Sequence, residues 1–117
     1  GMFLAPSELA TSIADRALRL PEAIGVGLFP RIAHWDAANM ERALAAVKVP
    51  ILVIQSTYLN AERKRVALKS GETTPWLDLV RRLVPQVRIE IVSGAGHFPQ
   101  LEAAEQVNTL LSELIDI

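Results

Sequence analysis

The run Val87-Arg88-Ile89-Glu90-Ile91-Val92 leads directly into Ser93-Gly94-Ala95-Gly96-His97-Phe98-Pro99, which sets a histidine on a glycine turn behind a β-branched, apolar segment. An imidazole titrates near neutrality, so it can take a proton from a reacting group and give it back, provided that a rigid turn holds it within hydrogen-bond reach. In open α/β sheets, reacting groups collect at the carboxyl ends of parallel strands. His97 is therefore the candidate catalytic residue, a group able to accept and return a proton. Gly94 and Gly96 allow the turn, and Pro99 limits how far the next helix can intrude on it. Glu102, in that helix's first turn, reads as a structural partner of the helix dipole. No Gly-x-Ser-x-Gly nucleophile turn occurs in the sequence. Ser7, Ser12, Ser56, Ser70, Ser93 and Ser112 all lack the glycine bracket.

The other residues with chemistry to offer carry less. His34 has no second histidine or cysteine at ligand spacing, so no metal site is expected and His34 reads as a surface residue. Gly94-x-Gly96 is not a dinucleotide fingerprint, because the third glycine falls on Pro99 and no βαβ unit follows; no cofactor is expected. Trp35 and Trp76 could line a pocket, but they stand at helix starts, where aromatic side chains more often belong to the core.

Positioning His97 requires a sheet. Val49 to Gln55 holds the apolar run Ile51-Leu52-Val53-Ile54, as a strand buried on both faces does, and Val87 to Val92 is the second strand. The 31 residues from Ser56 to Gln86 suffice for a right-handed helical crossover between parallel strands. Within that crossover, the spacing predicts a short helix over 61–69 closed by Gly71, then a second begun by Thr74-Pro75. Trp76, Leu77, Val80, Leu83 and Val84 form the inner face of the second. A terminal helix presents Val107, Leu110, Leu111, Leu114 and Ile115. Upstream, Ser7 caps a helix that Pro21 stops. Residues 22–35, with Gly25, Gly27 and Pro30, read as a loop or broken helix, after which Asp36 caps a helix ending before Pro50. The expected fold class is α/β: a small parallel sheet of two strands, a helical crossover and a C-terminal helix.

The chain has 117 residues, 50% of them hydrophobic, and a net charge of -1. One domain is expected, with a modest core and more apolar surface than a small monomer covers, which points to a missing partner or to self-association. A neutral balance supplies no field for nucleic acid or an anionic membrane, so neither is expected as a partner. Arg63, Lys64, Arg65 and Lys69 read as a solvated helix face. Without cysteine there are no disulfides, which suits a cytoplasmic compartment. No apolar stretch approaches the ~20 residues of a bilayer span. Gly1 ahead of Met2 reads as a cloning remnant, and no leader is expected.

Val49-Pro50-Ile51-Leu52-Val53-Ile54-Gln55, a helical crossover and then Gly94-Ala95-Gly96-His97-Phe98-Pro99-Gln100-Leu101-Glu102 together resemble the C-terminal portion of the α/β-hydrolase superfamily. The resemblance covers 36–117, with 2–35 loosely similar to the end of that family's helical lid. It implies a partial α/β-hydrolase fold, His97 as the family's general base and a small-molecule ester, amide or similar substrate. It also implies that the nucleophile and the oxyanion donors belong to an N-terminal half that this chain lacks. Where the family usually places the acid that orients the histidine, this sequence has Leu59; Asn60 could orient the ring, and Glu62 could do so only from a shifted loop. The expectation is a fragment inactive alone, completed by a complementing N-terminal half or associated as a homo-oligomer. The alternative is a non-catalytic interaction or dimerisation module derived from the same fold. An uncovered edge on the first strand is expected to be closed by a second copy or by the N-terminal helices.

Overall fold

A computed structural model describes residues 2–116. The chain divides into two compact units, Pro6–Val47 on the one hand and Gly1–Ala5 with Lys48–Ile117 on the other.

The first unit is two helices, α1 (Glu8–Leu18) and α2 (Glu22–Ala45). Ser7 caps α1 as its position suggests, its hydroxyl accepting the Ala10 N–H at 3.0 Å. The expected loop over 22–35 and the cap at Asp36 are both overturned, since one 24-residue helix runs through Gly25, Gly27, Pro30 and Asp36. Breaking it would create two new helix ends, with four unpaired N–H and four unpaired C=O groups. Keeping it forfeits the one N–H that Pro30 lacks and accepts two weak helix formers. Neither helix buries a residue. Ile24, Val26, Leu28, Phe29, Ile32 and Trp35 all remain exposed.

The second unit is α/β. Strands β1 (Ile51–Gln55) and β4 (Val87–Ile91) form a two-stranded parallel sheet, with Ile51 opposite Val87 and Gln55 opposite Ile91. The period of two and this register put Leu52, Ile54, Arg88 and Glu90 on one face. There the C-terminal helix α5 (Ala104–Ile115) covers them: Leu52 and Ile54 pack with Val92, Ala95 and Leu110, and Arg88 bridges Glu90 and Glu113. Helix α3 (Pro75–Leu83) packs against β4. Thr74 caps it, accepting the Leu77 N–H at 3.2 Å, and Leu77, Val80 and Val84 are wholly buried. Every residue of β1 and β4 is nevertheless only half-buried, because among the described residues no further strand pairs with either.

The crossover departs from expectation in one place. Instead of a helix over 61–69 there is an antiparallel hairpin, β2 (Thr57–Leu59) and β3 (Arg65–Ala67), with Tyr58 opposite Val66. Its turn explains the preference. The Asn60 side chain accepts the Lys64 N–H at 2.9 Å, the Asn60 N–H reaches the Lys64 carbonyl at 3.0 Å, and Arg63 takes a left-handed φ of 58°. A side chain that satisfies its own turn competes with helix, and Thr57, Tyr58 and Val66 favour strand. The last element before α5 is a single turn, α4 (Pro99–Glu102).

Candidate functional site

His97 stands one turn beyond the end of β4, as the sequence implies, and four restraints hold that turn. Val92 extends the sheet by donating its N–H to the Gln55 carbonyl at 3.0 Å. Ser93 Oγ donates to the Leu68 carbonyl at 3.1 Å, and Leu68 in turn donates to the Ser56 carbonyl at 2.9 Å. Ser56, 3% exposed, donates its hydroxyl to the Gly96 carbonyl. The Gly96 N–H is taken by Glu102 Oε2 at 2.8 Å, so Glu102 is structural through a direct bond to the turn. A fifth contact comes from the N-terminus: the His97 N–H donates to the Met2 carbonyl at 2.6 Å, and the rings of Phe3 and Phe98 lie 5.5 Å apart.

The imidazole itself is exposed, its ring edge-on to Phe98 at 5.0 Å, and among the described residues no carboxylate hydrogen-bonds it. The residues considered as its orienting partner lie elsewhere in their bonding. Leu59 is exposed, Asn60 is committed to the hairpin turn, and Glu62 is an exposed turn residue. His34 lies on α2, in the other unit.

Two adjoining hollows meet at His97. One, of about 250 Å³, is lined by Val53, Ile54, Gln55, Ser56, Thr57, Trp76, His97 and Pro99. The second, of about 470 Å³, shares Gln55, Thr57, Trp76 and His97 and adds Tyr58, Leu59, Arg65, Thr74 and Pro75. Trp76, expected in the core, is 41% exposed and forms a wall of both, because Leu77 and Val80 take the buried side of α3. Gln55 donates from Nε2 to the Thr57 carbonyl at 2.9 Å, while its Oε1 is buried without a partner. Arg65 reaches in from β3, its Nη1 donating to Thr57 Oγ1 at 2.8 Å. Gln55 and Arg65 were not legible as site residues, whereas Trp76 takes the pocket-lining place that was the lesser of its two readings. The signal was the hairpin, which carries Arg65 back beside the strand end.

These surroundings hold the His97 pKa below the ordinary imidazole value. Loss of solvent on the walled side of the ring is the larger cause, and the positive charge of Arg65 the smaller. A depressed histidine pKa means that the unfolded chain takes up a proton first as the pH falls. The neutral ring therefore carries no penalty above the unfolded value, and the native state loses stability below it. Replacing Arg65 by methionine should raise the His97 pKa only part of the way to normal, because desolvation remains. Titration of the imidazole C–H signals by NMR checks this, and an unchanged midpoint would remove Arg65 as a cause.

Among the described residues, no cluster of histidine, aspartate and glutamate is arranged to hold a metal ion, and no helix is long and apolar enough to cross a membrane. Comparison of the chain with family models, curated proteins and solved structures gives no match.

Proposed function

We propose that this chain is the C-terminal part of an α/β-hydrolase-like protein and that His97 is its general base. The observation that carries the reading is an exposed imidazole fixed at the carboxyl end of a parallel strand and opening onto a hollow walled by Trp76 and Gln55. In the reaction, one imidazole nitrogen takes the proton of an attacking hydroxyl as oxygen adds to the carbonyl of an ester or amide. The same nitrogen then returns that proton to the departing oxygen or nitrogen. Ser56 does not fit the role of attacking group, since it is buried and its hydroxyl is spent on Gly96. The nucleophile and the amides that bind the oxyanion are assigned to an N-terminal half, either upstream in a longer chain or on a complementing polypeptide. We place the activity in the cytoplasm, which suits a chain without cysteine.

The test is co-expression with candidate N-terminal halves, purification of the complex and an ester-hydrolysis assay, with His97→Ala as the control. Activity that survives the substitution unchanged eliminates His97 as base.

A second reading, a non-catalytic dimerisation module, draws on the unpaired edge of β1 and the half-buried residues along it. A parallel strand's open N–H and C=O groups beside an apolar face invite pairing with a second copy. Sedimentation equilibrium separates the two readings. A homodimer that excludes the complementing half favours the module, and a monomer that captures it favours the hydrolase.

A further inference from the structure

Helix α2 lays a stripe of large apolar side chains open to solvent. Helices in water draw most of their stability from packing such a stripe, and α2 carries the handicaps of Gly25, Gly27 and Pro30 besides. Yet Ile24, Leu28, Ile32 and Trp35 are about half exposed, and Phe29 is 75% exposed. The stripe has the heptad period of a coiled coil. With Leu28 set at d, the a and d positions read Gly25, Leu28, Ile32, Trp35 and Asn39, while Pro30, which costs least on an outer face, falls at f.

We propose that a second copy of this chain covers that face, the two α2 helices pairing parallel and in register as a short coiled coil. The flanking charges select this occupant and this orientation. Arg31 is a g residue and Asp36 the e residue five places on, the two positions that face each other across a parallel dimer. Within one helix they stand on opposite edges of the seam, and among the described residues neither has an ion-pair partner. The preceding g and e pair, Ile24 and Phe29, is apolar on both sides. Along the seam, β-branched Ile32 at a and Leu28 at d suit two strands, and Asn39 at a meets its own copy, a polar layer that fixes register. Its amide at present bonds only within the helix, donating to the Trp35 carbonyl at 3.1 Å and accepting from Arg42. An antiparallel pair with Ile32 against Trp35 would set Asn39 on Leu28 and both charges beside apolar residues. The seam is short, little more than two heptads, so the dimer is weak and forms with concentration. It leaves the edge of β1 open and holds whether or not His97 is a base.

The test is sedimentation equilibrium of the full chain over a range of concentrations. Ile32→Lys should weaken the dimer by roughly a hundredfold, because both copies lose an apolar layer and two ammonium groups meet in it. Val26→Lys, on the outward side, should leave it within about twofold. Arg31→Asp and Asp36→Arg should each weaken it by about tenfold, and the double variant should restore it, since the pair is then reversed and not lost. Circular dichroism and the His97 imidazole signals check that each variant folds; if Ile32→Lys does not, the charge reversals decide. A chain that stays monomeric to about 1 mM overturns the proposal. So does a dimer indifferent to Ile32→Lys, which would pair elsewhere, or a double variant no tighter than the single ones. A Trp35 indole signal that moves only on adding a candidate N-terminal half, or only with phosphatidylcholine vesicles, assigns the face to that occupant and likewise defeats the second copy.

Discussion

His97→Ala, in the chain complemented for ester hydrolysis, is expected to lower the rate by roughly 10² to 10⁴ while leaving the fold intact. The size follows from what a positioned base contributes when the other catalytic groups are present. The selectivity follows from the structure: the side chain is exposed, and its ring meets Phe98 in a T-shaped contact at 5.0 Å. The turn is held by backbone groups of residues 92, 96 and 97 and by Ser93, none of which the substitution removes. Circular dichroism and melting should thus barely move. Added imidazole should restore part of the rate, an effect that a purely structural histidine would not show. The pH profile carries a further mark. A base works when neutral, and the His97 pKa is lowered, so the plateau of activity should extend further into acid than an ordinary imidazole allows. With Arg65→Met, the acid limb should move back up.

The parts of this arrangement that could be read from sequence are those in which one local signal acts alone. Ile51-Leu52-Val53-Ile54 and Val87-Arg88-Ile89-Glu90-Ile91 are strands on side-chain type, and they pair in parallel because the crossover between them is long enough. Ser7 and Thr74 cap helices where their hydroxyls can meet an amide three residues on. What failed were competitions. Residues 61–69 have helical charge spacing, but Asn60 settles the segment as a hairpin by satisfying the Lys64 amide. Gly25, Gly27 and Pro30 weaken α2 without breaking it, because two new helix ends cost more than one missing donor. His97 was legible, since a glycine turn behind a strand is a local pattern. Its neighbours Arg65 and Gln55 were not, since they converge only once the hairpin has folded back, and Trp76 was poised between pocket and core until α3 had chosen which side to bury. The roles of Met2 and Phe3 were equally hidden. Nothing in their side chains shows that a backbone carbonyl near the N-terminus accepts the His97 amide.

That strap makes Gly96→Ala the substitution with the largest expected effect on stability, about 2 to 3 kcal/mol. The neighbouring glycine sets the contrast. Gly94 has a φ of 87° with open space around its missing Cβ, so alanine there meets only backbone strain, about 1 kcal/mol. At Gly96 a Cβ would lie 2.8 Å from the Met2 carbonyl oxygen, 2.9 Å from Glu102 Oε2 and 2.9 Å from the Phe3 Cα. Glu102 can swing away, but only by releasing the Gly96 N–H. The other two atoms are backbone. Moving them breaks the bond from the His97 amide to Met2 and parts Phe3 from Phe98. Urea denaturation of Gly96→Ala should show the loss, and the His97 imidazole signals should broaden or split as the turn loses its restraints. Deleting residues 1–5 separates the causes. In that shortened chain two of the three clashes vanish, so the further cost of Gly96→Ala should fall to about 1 kcal/mol, a non-additivity that a double-mutant cycle reads directly. A full cost that persists after the deletion would mean that Gly96 is required by the bond to Glu102 and not by the N-terminal strap.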